Sequence, residues 1–66
     1  MTDVIRFLWD SPNGKYRVLV RRFTGDNQIL VDYWKLVNGK QKDIRYKDLP
    51  KYVKKQIVVL KDQVIN

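Results

Sequence analysis

Three clusters of turn-forming residues divide the first part of the chain into four short segments. They lie at residues 10–14 (Asp-Ser-Pro-Asn-Gly), 24–27 (Thr-Gly-Asp-Asn) and 38–39 (Asn-Gly). Glycine and asparagine accept the positive φ that tight turns require, and Asn-Gly is the dipeptide typical of a type I′ hairpin turn. Because a parallel crossover needs a dozen or more residues, connections this short allow only antiparallel neighbours.

The segments between these turns are rich in valine, isoleucine and aromatic residues, which favours β-strands. The predicted strands are Val4 to Trp9, Tyr16 to Phe23, Gln28 to Val37 and Lys40 to Tyr46. In strand two, alternation places Val18, Val20 and Arg22 on one face of the sheet and Arg17 and Arg21 on the other. We expect the valine face to pack against the predicted C-terminal helix.

The C-terminal segment follows a helical period. Asp48 is a suitable N-cap and Pro50 suits a first helical turn. We predict a helix from about residue 49 to 63. Apolar residues at spacings of three and four form one face of this helix: Leu49, Val53, Ile57, Leu60 and Val64. The predicted fold class is therefore α+β, a four-stranded antiparallel β-meander followed by one C-terminal α-helix, in a single domain over residues 1–66.

The sequence lacks the side chains on which most catalytic and metal sites depend. It contains no His and no Cys, and its seven acidic residues are all Asp, without the spacing of a calcium loop. Imidazole bases, thiolate nucleophiles and the usual zinc sites cannot be built from it. We predict that the protein is not an enzyme and that it holds no metal and no cofactor.

Length and hydropathy bear on location and oligomeric state. No apolar run is long enough to span a membrane, and the first residues lack the pattern of a signal peptide. We expect an intracellular protein, in the cytoplasm or nucleoid or in a eukaryotic nucleus, without a membrane partner.

A chain near 60 residues buries only about 60% of its unfolded surface. We therefore expect a homodimer, with Val58, Val59 and Ile65 as interface residues because they lie partly off the main helical stripe.

The chain carries 14 Lys and Arg against seven Asp, a formal net charge of +7. This excess in a small domain favours a nucleic acid as the partner. One helix covers one face of a sheet, so the second face is available to a ligand. Cations there would neutralise phosphates and flat rings would stack on unpaired bases with little sequence preference. The candidate phosphate-binding residues are Arg17, Arg21, Arg22, Lys40, Lys42 and Arg45, and the candidate stacking residues are Trp34 and one of Phe7 or Trp9.

Strand two and the segments after it resemble the positive cofactor four (transcriptional coactivator p15) family. The similarity lies in Gly14-Lys15, in the run Val18-Leu19-Val20-Arg21-Arg22-Phe23-Thr24-Gly25, in Tyr33-Trp34, in Lys42 and Ile44, and in Gln56-Ile57 with Asp62 and Val64. The resemblance implies a dimeric protein that binds single-stranded DNA, in preference to RNA, across its sheet. It further implies a role in transcription, with the transcription machinery as a partner, or in genome maintenance. It also implies Arg21, Trp34 and Lys42 as binding residues, with Lys15 and Arg17 beside them.

Two alternatives remain open from the sequence. The helix start Asp48-Leu49-Pro50 is similar to that of the crenarchaeal seven-kilodalton chromatin proteins, small barrels that bind duplex DNA. The other alternative is a viral or phage regulator that binds a host protein. In that case the aromatic residues would be interface hot spots and the charge would steer association.

Overall fold

The computed structural model describes residues 3–65, which form one antiparallel sheet and one helix packed on it. The strands are β1 (Val4–Asp10), β2 (Tyr16–Phe23), β3 (Gln28–Val37) and β4 (Lys40–Asp43), in the spatial order β1-β2-β3-β4. A short 3-10 helix (Tyr46–Asp48) leads to α1 (Lys51–Ile65). The predicted fold class is confirmed.

The β3–β4 turn has the predicted type I′ character. Asn38 and Gly39 have φ values of 51° and 77°, and both central residues of a type I′ turn need positive φ. Because the turn has only these two residues, it places Lys35 directly opposite Lys42 on the neighbouring strand.

The β1–β2 connection is a longer loop, organised by the buried side chain of Ser11. Its hydroxyl accepts hydrogen bonds from the backbone N–H groups of Lys15 (3.1 Å) and Tyr16 (3.0 Å), and it donates to Oδ1 of Asn13 at 2.6 Å. Gly14 follows with a φ of 72°. The first Asn-Gly pair therefore lies inside a loop whose conformation is fixed by the hydrogen bonds of the Ser11 side chain.

Several predicted boundaries are wrong by a few residues. β1 continues to Asp10, and β4 ends at Asp43 instead of Tyr46. The segment leaves the sheet there because Ile44 turns inward and packs against the core. The helix spans Lys51–Ile65 rather than residues 49–63. Leu49 is extended (φ −73°, ψ 139°), as expected for a residue that precedes a proline.

The core lies between β2 and one face of α1. Val18 and Val20 are fully buried against the helix, so the predicted orientation of strand two is confirmed. The predicted helical stripe is also confirmed, since it supplies the remaining apolar core: Leu49, Val53, Ile57, Leu60 and Val64. The helix leaves the opposite face of the sheet uncovered.

Candidate nucleic-acid interface

Strand pairing assigns every strand residue to one of two faces. Residues directly opposite each other on neighbouring strands share a face, and the alternates of Val18 and Val20 point away from the helix. We call this uncovered side the open face. It carries Val4, Arg6, Leu8, Asp10, Arg17, Leu19, Arg21, Phe23, Gln28, Leu30, Asp32, Trp34, Leu36, Gln41 and Asp43.

The open face has no net formal charge, because its three arginines are matched by three aspartates. Arg17 donates from Nε to Oδ1 of Asp10 at 2.7 Å and from Nη1 to Gln41 at 2.9 Å. Arg21 donates from Nη2 to Oδ2 of Asp32 at 2.7 Å. These guanidinium groups are already engaged by carboxylates, so the face offers little attraction to a phosphate.

Ionisation at this site follows from the same contacts. The hydrogen bond from Arg17 holds the pKa of Asp10 below its ordinary value, burial acts in the opposite direction, and attraction between the two charges adds to the lowering. The pKa of Arg17 is raised by the same hydrogen bond. Both groups therefore stay charged at neutral pH.

The three candidate stacking rings do not share a face. Trp34 is half-buried on the open face, opposite Arg17 and Asp43. Trp9 lies opposite Val18 and packs against the core on the helix side. Phe7 lies on the helix side as well, 37% exposed. A single platform built from Trp34 with Phe7 or Trp9 is excluded by this register.

The candidate cations are likewise divided between surfaces. Arg17 and Arg21 lie on the open face, whereas Lys40 and Lys42 point to the helix side of β4. Lys15 lies in the β1–β2 loop and Arg45 directly precedes the 3-10 helix, and both are exposed.

Arg22 has a structural position that the sequence analysis did not anticipate. Its Nη1 donates to the backbone carbonyl of Val64 at 3.0 Å, and its Nη2 donates to Oδ1 of Asn27 at 2.9 Å. It therefore satisfies one of the last carbonyls of α1 and places a positive charge at the negative end of the helix dipole.

A second group of cations lies at the β3–β4 end of the molecule, and one of them contacts an exposed tyrosine. Lys35 and Lys42 lie opposite each other, both exposed, on the helix side of the sheet. Nζ of Lys54 lies 5.2 Å from the ring centroid of Tyr46, a cation–π distance. Tyr46, which is 49% exposed, packs against Tyr33 with 6.0 Å between the ring centroids. Tyr33 lies two residues before Lys35 on β3. We call this the lysine–tyrosine surface: Lys35, Lys40, Lys42, Tyr46 and Lys54.

The excess positive charge lies away from the open face. Within residues 3–65, the recorded ion pairs are those of Arg17 with Asp10 and of Arg21 with Asp32. No lysine in this range therefore has a carboxylate of the same range at ion-pair distance. Since the open face sums to zero, the formal charge of +7 belongs to the rest of the molecule. Much of it lies on the lysine–tyrosine surface and beside it, at Arg45 and Lys47.

Three members of this surface were missing from the sequence-based candidates. Lys35, Tyr46 and Lys54 come from β3, the 3-10 helix and α1, so no short motif unites them. Lys35 could have been identified from the sequence, because a two-residue turn at Asn38-Gly39 pairs position 35 with position 42.

The three candidate dimer residues lie on the exposed side of α1. Val58 and Ile65 are open to solvent, and Val59 lines a shallow groove with Phe7, Asp62 and Gln63. This groove runs between the helix and the outer strand β1. The structure is that of one chain, so the predicted dimer stays a prediction.

The described part of the chain offers neither a cluster of metal ligands nor a membrane-spanning helix. Residues 3–65 contain no group of three or more acidic side chains close enough to hold a metal ion. The one helix in this range is too short and too polar to cross a bilayer.

Comparison with protein-family models, with curated proteins and with solved structures found no match to this chain. The resemblance to the positive cofactor four family therefore stays a prediction drawn from the sequence.

Proposed function

We propose that this protein binds single-stranded nucleic acid, without catalysing a reaction, and that the lysine–tyrosine surface is its binding site. The observation that supports this proposal is the division of charge. The open face is neutral, while lysines without an ion-pair partner among the described residues lie at the β3–β4 end, and one of them, Lys54, contacts the exposed ring of Tyr46. Cations combined with a stacking ring are the usual composition of a single-strand binding site.

Each component has a separate task in binding. The lysine ammonium groups are compact point charges that contact phosphates without reading sequence. The ring of Tyr46 stacks on an unpaired base, and its contacts with Lys54 and Tyr33 help to fix its position. Stacking of this kind contributes about 1–3 kcal/mol per base.

The placement of Lys35 and Lys42 is itself an argument for an anionic ligand. Like charges directly opposite on neighbouring strands destabilise a sheet, and here both residues belong to hydrogen-bonded strands. A phosphate bound between them would offset that repulsion. Part of the binding free energy therefore comes from relieving a charge repulsion that is already present in the free protein.

The first test compares two triple variants of equal net charge in fluorescence anisotropy with labelled single-stranded DNA. Changing Lys35, Lys40 and Lys42 to Gln removes three charges from the proposed site. Changing Lys15, Lys55 and Lys61 to Gln removes three exposed charges outside it. We expect the first variant to bind far more weakly and to reduce the salt slope by about 2, at roughly 0.7 per phosphate contact. Equal losses in the two variants would contradict the proposed location.

The second test separates the two surfaces by their aromatic residues. Tyr46→Ala should weaken single-strand binding by about 1–3 kcal/mol, whereas Trp34→Ala on the open face should leave it close to wild type. The reverse result would assign base stacking to the open face instead. Duplex DNA of the same length serves as the competitor, and tighter binding of the duplex would favour the chromatin-like alternative.

The open face supports a second candidate function, a regulator that binds another protein. Leu8, Leu19, Phe23, Leu30 and Trp34 lie there beside paired charges, and an apolar patch with a polar rim is typical of protein interfaces. Association that persists at high salt, together with no affinity for DNA, would favour this candidate over nucleic-acid binding.

A further inference from the structure

The two edges of the sheet differ in how they are protected from pairing with another strand. The β4 edge is four residues long and carries Lys40 and Lys42, which are common protective features. The β1 edge is seven residues long, VIRFLWD, mostly apolar, without proline, lysine or a break in its register with β2, and its two charged residues are Arg6 and Asp10, of which Asp10 is paired with Arg17. A long, apolar, regular edge is a template for another strand.

Hydrogen bonding shows which residues of β1 present their backbone to this edge. The N–H of Ser11 donates to the carbonyl of Tyr16 at 2.8 Å, and the N–H of Thr24 donates to the carbonyl of Asp3 at 3.1 Å. In an antiparallel ladder the bonded residues alternate, so the odd-numbered residues of β1 bond to β2. The N–H and C=O groups of Val4, Arg6, Leu8 and Asp10 therefore point away from the sheet.

We propose that two copies of this chain associate by antiparallel pairing of β1 with β1, in a register centred on Phe7. Centring on Phe7 places every even-numbered residue opposite another even-numbered residue, Val4 with Asp10 and Arg6 with Leu8. All four outward residues of each strand are then bonded, which gives about eight hydrogen bonds across the two-fold axis. The product is one continuous sheet of eight strands, four from each copy.

The side chains beside this edge fit a second copy as the occupant. Ile5 (38% exposed) and Leu8 (61% exposed) lie on opposite faces of β1. Phe7 and Val59 line the groove on the helix side. Two-fold pairing brings both grooves together, so each copy covers apolar surface that the other leaves open. The interface thus includes Val59 but is built on the strand rather than on the exposed helix side that carries Val58 and Ile65.

Charge also favours this edge for self-association. Each copy carries +7, so most surfaces of two copies repel each other. Residues 3–10 contain two aspartates and one arginine, a formal charge of −1. The β1 edge is therefore less positively charged than the β4 edge with its two lysines, and in this register the cations brought near each other are the two Arg6 side chains, at diagonal positions on the open face.

Disulfide trapping tests the register, because the chain has no cysteine of its own. Phe7→Cys places the two thiols in a directly opposed, non-hydrogen-bonded pair, with Cα atoms about 4.5 Å apart, within the range that a disulfide spans. Ile5→Cys is the matched control, on the same face and equally exposed, but its partner position is Trp9. We expect rapid oxidation to a covalent dimer for Phe7→Cys alone. Equal or faster cross-linking of Ile5→Cys, or none with Phe7→Cys, would overturn the proposal.

Sedimentation equilibrium tests the association itself and does not depend on nucleic-acid binding. Wild type and Leu8→Ala should both be dimers, since alanine keeps the outward N–H group. Leu8→Pro removes that group without removing a bond to β2 and should weaken dimerisation at least tenfold. A monomeric wild type, or a Leu8→Pro variant that dimerises as wild type does, would refute β1 pairing. If circular dichroism shows that Leu8→Pro is unfolded, the comparison of cross-linking in Phe7→Cys and Ile5→Cys tests β1 pairing instead.

Discussion

Replacing Lys42 by Gln should stabilise the fold while weakening ligand binding. Lys42 lies directly opposite Lys35 on the helix side of the sheet, and neither has an ion-pair partner within residues 3–65. Opposed like charges on neighbouring strands destabilise by about 0.2–1 kcal/mol. For a domain of this size, removing that repulsion raises the melting temperature by about 1–8 °C.

The same change removes one phosphate contact, so affinity for single-stranded DNA should fall and the salt slope should decrease by about 0.7. Lys40→Gln is the matched control, because Lys40 is on the same strand and face but lies opposite Val37. It should weaken binding in the same way without stabilising the fold. Thermal unfolding by circular dichroism and anisotropy titrations measure the two effects. Unchanged or lower stability in Lys42→Gln, or equal stabilisation by Lys40→Gln, would refute the repulsion argument.

Three further variants test the fold itself. Arg22→Gln should destabilise by about 1–2 kcal/mol in urea unfolding, because the cationic donor to the Val64 carbonyl is lost at the C-terminus of the helix. Val53→Ala should lower the unfolding free energy by about 2 kcal/mol, since Val53 is fully buried and the cavity cannot close completely. The lowered pKa of Asp10 contributes stability that is present above its ordinary value of 3.8 and is lost as the pH falls below it. Acid unfolding of Asp10→Asn should therefore depend less on pH there than that of wild type, and equal pH dependence would contradict a role for the Arg17 pair.

Much of the fold could be predicted because local chemistry determined it. Asn38-Gly39 specified a two-residue turn, and strand alternation placed Val18 and Val20 toward the helix. The boundaries around Ile44 and Leu49 could not be obtained in this way. Ile44 leaves the sheet to reach the core, and this depends on tertiary packing. The extended backbone of Leu49 follows from Pro50 and could in principle have been predicted from the sequence.

The candidate site was harder to predict than the fold. Counting cations in the strands suggested a basic sheet, but the count did not reveal that Arg17 and Arg21 are paired with Asp10 and Asp32. Such pairs depend on register between strands, since their members are seven and eleven residues apart in sequence. The lysine–tyrosine surface draws on three separate elements, and only folding brings them to one end of the molecule.

The salt dependence of single-stranded DNA binding by the wild-type protein tests the central claim most directly. Lys35, Lys40, Lys42 and Lys54, with Arg45 and Lys47 beside them, supply six cations. If all six contact phosphates, the logarithm of the association constant should fall with a slope near −4 against the logarithm of salt concentration, at about 0.7 per contact. A slope between roughly −2 and −4 agrees with the account. No measurable binding at low salt, or a slope near zero, contradicts it.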